Sequence, residues 1–240
     1  MANAVVIIPT YNEIDNIERL LRNIFALQRA FHILVVDDNS PDGTAQKVQE
    51  LQGFYREKLF LLNREEKKGL GTAYIAGFKW ALHQEYEYIF EMDADFSHNP
   101  NDLIRLYNAC AKDGADVAIG SRYVTGVNVV NWPMGRVLLS WGASRYVRFI
   151  TRMDIYDTTA GFICYNNKVL RAINLDTIKF VGYAFQIEMK YKAYLKKFDI
   201  VEIPVIFTDR TKGESKMSSG IISEAIFGVI KMRLQHLFKK

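Results

Sequence analysis

The sequence is poor in the residues that build stapled or metal-caged folds. Only two cysteines occur in 240 residues, Cys110 and Cys164; they stand in no metal-ligand spacing and read as buried hydrophobes. The four histidines, His32, His83, His98 and His236, show no ligand spacing either. Only His98 lies near an acidic motif, and structural or surface roles are expected of all four. No apolar run approaches the ~18–20 residues of a spanning helix, and the opening MANAVVIIPT lacks the charged segment and long apolar stretch of a secretion signal. The expectation is a reducing, cytoplasmic setting in which any membrane contact is peripheral. A net charge of +4 is too small to suggest wrapping by nucleic acid, although the basic residues gather in the second half of the chain. No internal repeat or low-complexity linker interrupts the sequence.

What remains is a globular composition, 49% apolar and 24% charged, in a chain long enough to bury a sizeable core. Short Val- and Ile-rich runs at residues 4–10, 32–38, 59–63, 88–93 and 116–120 read as buried strands. Helical patterns lie between them at 15–27, 44–51, 71–83 and 102–112, the first with Ile17, Leu20, Leu21 and Ile24 on one face. Alternation of this kind predicts an α/β fold, a mostly parallel sheet flanked by helices with its ligand beyond the carboxyl ends of the strands. After Arg122 the pattern changes. A basic helix over 133–153, strands over 161–165 and 200–207, and helices over 182–196 and 219–237 complete the reading. One domain is expected, in two parts, 1–122 and 123–218, followed by 219–240 as a terminal amphipathic helix.

Acidic residues mark the strand ends. The first strand runs into Pro9-Thr10-Tyr11-Asn12-Glu13, where Glu13 is placed for a nucleobase or ribose; the alternative is that Asn12 or Asp15 simply caps the first helix. The second ends in Asp37-Asp38, with Asp38 a candidate for ribose or metal, whereas Asp42 and Thr44 serve the turn and the next helix cap. The strongest signal is Glu91-Met92-Asp93-Ala94-Asp95, two acids one residue apart at a strand terminus. Carboxylates this close repel unless a cation lies between them, and Mg²⁺ or Mn²⁺ with a nucleotide diphosphate in its shell fits. Residues 67–72, KKGLGT, lack the Gly-Lys-Ser/Thr of a Walker loop and read as a turn and cap completing the donor pocket.

Together these motifs resemble the inverting family 2 glycosyltransferases of the GT-A fold, and within them the dolichol-phosphate and bacterial polyprenol-phosphate mannosyltransferases. The second half narrows the resemblance through Gly120-Ser121-Arg122-Tyr123, Asn131-Trp132-Pro133, Arg136, Asp157-Thr158-Thr159-Ala160-Gly161-Phe162 and the run 209–216, DRTKGESK. The resemblance implies that Pro9, Tyr11, Glu13, Val36 and Asp38 contact the nucleoside. It puts Asp93 and Asp95 at the metal, with Ala94 contributing backbone contacts. Arg122, Arg136 and Arg210 become the acceptor-phosphate residues, Arg210 also reaching the donor, and Lys216 lies near the donor diphosphate. Asp95, Arg122, Arg136 and Arg210 are then the catalytic set. The likeness does not extend to Ser97, where some relatives carry Gln.

The implied reaction moves mannose from GDP-mannose to a polyprenyl monophosphate, dolichyl or undecaprenyl, to give a β-linked polyprenyl phosphate mannose. An acceptor phosphate is already anionic, so no general base is required. Residues 133–153 mix Leu138, Leu139, Trp141 and Phe149 with Arg136, Arg145, Arg148 and Arg152, and residues 219–240 carry Ile222, Ile226, Val229 and Ile230 before Lys239 and Lys240. Both read as interfacial helices for an anionic leaflet, with core packing as the alternative for the second. Trp132 is placed to touch lipid or acceptor, while Phe78 and Trp80 read as core. A membrane-protein partner is compatible with this reading and nucleic acid is not. The rivals are transfer of glucose or another hexose from a UDP donor, transfer to a polysaccharide with Asp157 as base, a non-catalytic nucleotide-sugar binding subunit, and a nucleotidyltransferase.

Overall fold

The computed structural model describes residues 3–209 and 219–238. Five strands and four helices alternate through the first half: β1 (Ala4–Thr10), α1 (Ile14–Phe25), β2 (His32–Asp37), α2 (Thr44–Gln52), β3 (Leu59–Asn63), α3 (Leu70–His83), β4 (Tyr88–Glu91), α4 (Asp102–Ala111) and β5 (Val117–Ser121). The second half holds β6 (Val129–Val130), α5 (Met134–Thr151), β7 (Ile163–Asn166), α6 (Asn167–Ala172), α7 (Tyr183–Leu195), β8 (Ile200–Pro204), β9 (Phe207–Thr208) and α8 (Ser219–Phe238). Seven strands form one sheet in the order β3-β2-β1-β4-β7-β5-β8. All neighbouring pairs are parallel except those of β7, which lies antiparallel between β4 and β5.

Burial on both faces explains the continuous apolar runs. In β1, Val5 and Ile7 enter one core cluster while Ala4, Val6 and Ile8 enter the other, the two-residue alternation of a strand covered on both sides. Helices α1, α2 and α4 cover the second face, and α1 buries the Ile17, Leu20, Leu21 and Ile24 stripe against it. Helices α3, α6 and α7 cover the first, with α5 and α8 packed outside them and contributing Val147, Val229 and Met232 to the core. Helix α3 approaches β1 so closely that a Cβ on Gly77 would stand 2.6 Å from Ile7 Cγ2. Phe78, Cys110 and Cys164 are buried, and Trp80 packs partly buried on the core.

Three segments differ from the sequence reading. The run 200–207 is not one strand. It breaks after Pro204, which has no N–H to continue a ladder, and Phe207–Thr208 pairs instead with β6 as a separate two-stranded ribbon. Strand β4 stops at Glu91, so the acid pair lies in the turn beyond it. Helix α6 was not anticipated; the Asn166 side chain accepts from Lys168 N–H and starts it.

Candidate active site at the carboxyl edge

Adjacency of β2, β1 and β4 brings their three carboxyl-end loops together, and those loops carry the acidic motifs. The first two are tied to each other. Thr10 Oγ1 donates to Asp37 Oδ2 at 2.7 Å, Ser40 Oγ donates to the same oxygen at 2.6 Å, and Asn12 N–H donates to Ser40 Oγ at 3.0 Å. Asn12 and Asn39 hold φ of 60° and 56°, the left-handed region that Asn tolerates in tight turns. Neither Asn12 nor Asp15 caps α1. Asp42 does so from the neighbouring loop, accepting from Ile14 N–H at 3.0 Å while its other oxygen accepts from Thr44 N–H at 3.0 Å and Thr44 Oγ1 at 2.6 Å. Burial works to raise the Asp42 carboxyl, but these hydrogen bonds outweigh it and hold the group below its usual range.

The candidate nucleoside residues line this floor unequally. Glu13 accepts from Asn16 Nδ2 at 3.0 Å, Lys67 Nζ lies 4.2 Å from the centre of the Tyr11 ring, and Pro9 is half-buried at the end of β1. Val36 is fully buried within the core, paired in register with Pro9, so it supports the floor from beneath. Asp38 is buried and makes a 2.9 Å ion pair with Arg64 Nη1. Burial raises its carboxyl, opposed by Arg64 and Lys67. Arg64 was not singled out in the sequence, although it directly follows β3, the neighbour of β2.

At the end of β4, Asp93 accepts from the buried Tyr74 hydroxyl at 3.3 Å, and Asp95 accepts from Ser97 N–H at 3.0 Å. Ala94 is buried between them. His98 is a site residue rather than a surface one. Its Nδ1 accepts from Asp93 N–H at 3.3 Å, its ring stacks on Phe162 at 4.8 Å, and burial lowers its pKa to about 4, so the ring is neutral near pH 7. Among the described residues no three acidic, histidine or cysteine side chains form a ready-made cage. Two carboxylates on one turn suit Mg²⁺ or Mn²⁺, which keep much of their shell for water and phosphate oxygens.

Because β7 runs antiparallel, the loop that feeds it opens at the same edge, and Glu91 pairs with Ile163. This delivers Asp157 to Arg122 at the end of β5. Arg122 Nε donates to Asp157 Oδ2 at 2.7 Å, Nη2 to Asp157 Oδ1 at 2.7 Å and to Thr159 Oγ1 at 2.9 Å, and the Arg122 N–H adds a bond of 2.9 Å. Burial opposes ionisation of Asp157, but Arg122 overrides it and holds the carboxyl below its usual range. An acid so engaged is not poised to take a proton. Arg136, the second candidate phosphate residue, pairs with Asp209 at 2.8 Å and lies 4.0 Å over the Trp132 ring, which meets Phe207 edge-on. Arg210 and Lys216 lie outside the described residues.

Beneath both halves sits a polar cluster whose α7 members, Gln186 and Lys190, were not singled out in the sequence. Gln186 of α7 donates to Glu91, and Lys190, one turn later, donates to the carbonyls of Ala160 at 2.6 Å and Gln186 at 3.3 Å. Burial raises the Glu91 carboxyl and lowers the Lys190 ammonium, each opposed by the other's charge.

The fold and its acid-lined carboxyl edge define a GT-A glycosyltransferase. The chain belongs to glycosyl transferase family 2, whose profile matches residues 5–176. It is 46% identical over 225 residues to a polyprenol monophosphomannose synthase of Mycolicibacterium smegmatis, spanning 94% of this chain and 84% of the relative. It is 43% identical over 230 residues to an undecaprenyl-phosphate mannosyltransferase of Micrococcus luteus, spanning 96% and 93%. A mannosyltransferase from Pyrobaculum calidifontis, solved in complex with GDP-Man and Mn²⁺, shares the fold with a TM-score of 0.65 at 18% identity, across 99% of this chain and 64% of that one.

Proposed function

We propose that this enzyme transfers mannose from GDP-mannose to a polyprenyl monophosphate with inversion, yielding polyprenyl phosphate mannose. The observation that carries the reading is near-full-length identity of 46% and 43% to two enzymes named for mannosyl transfer to polyprenyl carriers. The site is chemically suited to it. Asp93 and Asp95 would hold Mg²⁺ or Mn²⁺, which supplies positive charge to the departing diphosphate. Glu13 and Asp38 bind the nucleoside on the floor braced by Asp37 and Asp42, and the sequence motif alone assigns Lys216 and Arg210, outside the described residues, to the diphosphate. On the acceptor side Arg122 and Arg136 are fixed positive charges, each already oriented by a carboxylate, that draw the acceptor phosphate towards the anomeric carbon. The acceptor oxygen is anionic near neutral pH, so Asp157 serves to hold Arg122 rather than to remove a proton.

The acceptor is a lipid, and the enzyme works at the cytoplasmic face of a membrane. No described helix is long and apolar enough to cross one. The support comes from α5 and α8, where Leu138, Leu139, Trp141 and Phe149 of the former and Phe227, Ile230 and Leu234 of the latter are exposed beside Arg145 and Lys231.

The decisive assay follows radiolabel from GDP-mannose or UDP-glucose into short polyprenyl phosphate in detergent with Mn²⁺, with Asp95→Ala as control. Metal-dependent labelled lipid from GDP-mannose, lost in the variant, is expected. Labelling from UDP-glucose alone would replace the donor. Absence of labelled lipid from either donor would overturn the reading.

A further inference from the structure

Among the charged side chains buried under the site are two acids, Glu91 and Asp157, and two cations, Arg122 and Lys190. Glu91, Asp157 and Lys190 are fully buried and Arg122 is 8% exposed. Arg122 and Asp157 satisfy each other directly. Lys190 does not use a carboxylate in this way: its hydrogen bonds go to main-chain carbonyls, the shorter to Ala160. Burying an ammonium is strongly unfavourable, and an apolar side chain of similar length would occupy the same place on α7 without that penalty. The geometry gives the ammonium a task. Ala160 belongs to the 157–161 turn, whose Asp157 and Thr159 are the partners of Arg122. Glu202 on β8 fixes the start of this turn, accepting from Tyr156 N–H at 2.6 Å and Asp157 N–H at 2.8 Å. Lys190 fixes its end.

Gln186 and Lys190 are four residues apart on α7 and share a face. The first holds Glu91, two residues before Asp93, and the second holds the turn that orients Arg122. One helix face therefore ties the end of β4, which carries the donor-side acids, to the acceptor-side cation. We propose that Lys190 is a positioning residue that, with Gln186, clamps the 157–161 turn to the end of β4 and so sets where Arg122 stands relative to Asp93 and Asp95. The consequence for turnover rests on the transferase reading above; the clamp itself does not.

The test separates clamping from mere charge compensation. Lys190→Met leaves Glu91 buried without its counter-charge, so the informative variant is the double substitution Glu91→Gln/Lys190→Met, which removes both charges and keeps the volumes. Hydrogen exchange of the backbone N–H groups of residues 158–161 is expected to quicken at least tenfold in the double variant, with exchange in β1 and β2 unchanged. In the mannosyl transfer assay its kcat should fall at least tenfold while KM for GDP-mannose stays within twofold and the melting temperature returns close to that of the parent. Unchanged exchange at the turn overturns the clamp. So does full recovery of kcat with recovery of stability, which is what compensation alone produces. A parent enzyme that transfers no mannose would remove the proposed reaction, and the exchange measurement would still judge the clamp.

Discussion

Replacing Asp157 by Asn keeps the shape of the Arg122 partnership and removes its charge. Asp157 is fully buried and Arg122 nearly so, and the two share three side-chain and main-chain hydrogen bonds of 2.7–2.9 Å. Breaking a buried pair by neutralising one member leaves the other charge uncompensated, at a cost of about 3–5 kcal/mol. A chain of this length unfolds with an entropy of about 0.5 kcal/mol/K, so the melting temperature should fall by about 6–10 °C near neutral pH. The dependence on pH sharpens the test. The folded-state carboxyl lies below its ordinary value of 3.8, so the stabilisation is fully present above that value and is lost as pH falls through the folded one. Parent and variant should therefore differ by a constant amount from about pH 7 to about pH 5 and converge in more acid solution, where the parent also carries a neutral group. Urea denaturation followed by circular dichroism at stepped pH measures this. A loss under about 1 kcal/mol at neutral pH, or a difference that persists unchanged in acid, would refute the reasoning.

Other consequences follow from the same geometry. Arg64→Met removes the cation paired with the buried Asp38; GDP affinity measured by calorimetry should weaken by about tenfold, the loss typical of a charged hydrogen-bond partner. Gly77→Ala drives a methyl group to 2.6 Å from Ile7, and the overpacking should cost about 1–3 kcal/mol in chemical denaturation. Leu138→Ser combined with Phe149→Ser alters exposed positions, so stability should change by less than about 0.5 kcal/mol while flotation with anionic liposomes is lost.

The first half of the fold was legible because burial on both faces of a parallel sheet leaves continuous apolar runs, and β1 and β3 fall where those runs fall. The acidic loops were legible for a related reason, since acids at the end of a buried strand stand out against it. What stayed hidden depends on partners distant in sequence. Nothing local to Asp42 shows that it caps the helix before it as well as the one after. An arginine reads as a phosphate ligand whether or not an aspartate waits 35 residues later, as Asp157 does for Arg122. Lys190 was hidden most completely. It lies in QIEMKYK, where charged letters suggest a solvated face, yet the stretch 184–191 is buried on all sides between the sheet and α8. The bond that holds its ammonium to Ala160, 30 residues away, is tertiary and has no periodic trace.

The antiparallel β7 also sets the order in which the chain can assemble. Strands β3, β2, β1 and β4 pair with one another from a contiguous stretch, whereas among the described strands β5 pairs with β7 and β8. The open edge of β4, carrying Ile89 and Phe90, must wait for a strand that arrives some 70 residues later. At about 5–20 residues per second of synthesis, that edge is unpaired for roughly 4–15 s. An unsatisfied apolar edge is where chains pair with each other instead of with themselves. The same strand β7 that brings the Asp157 turn to Arg122 leaves the nascent chain with an unpaired β4 edge until it arrives.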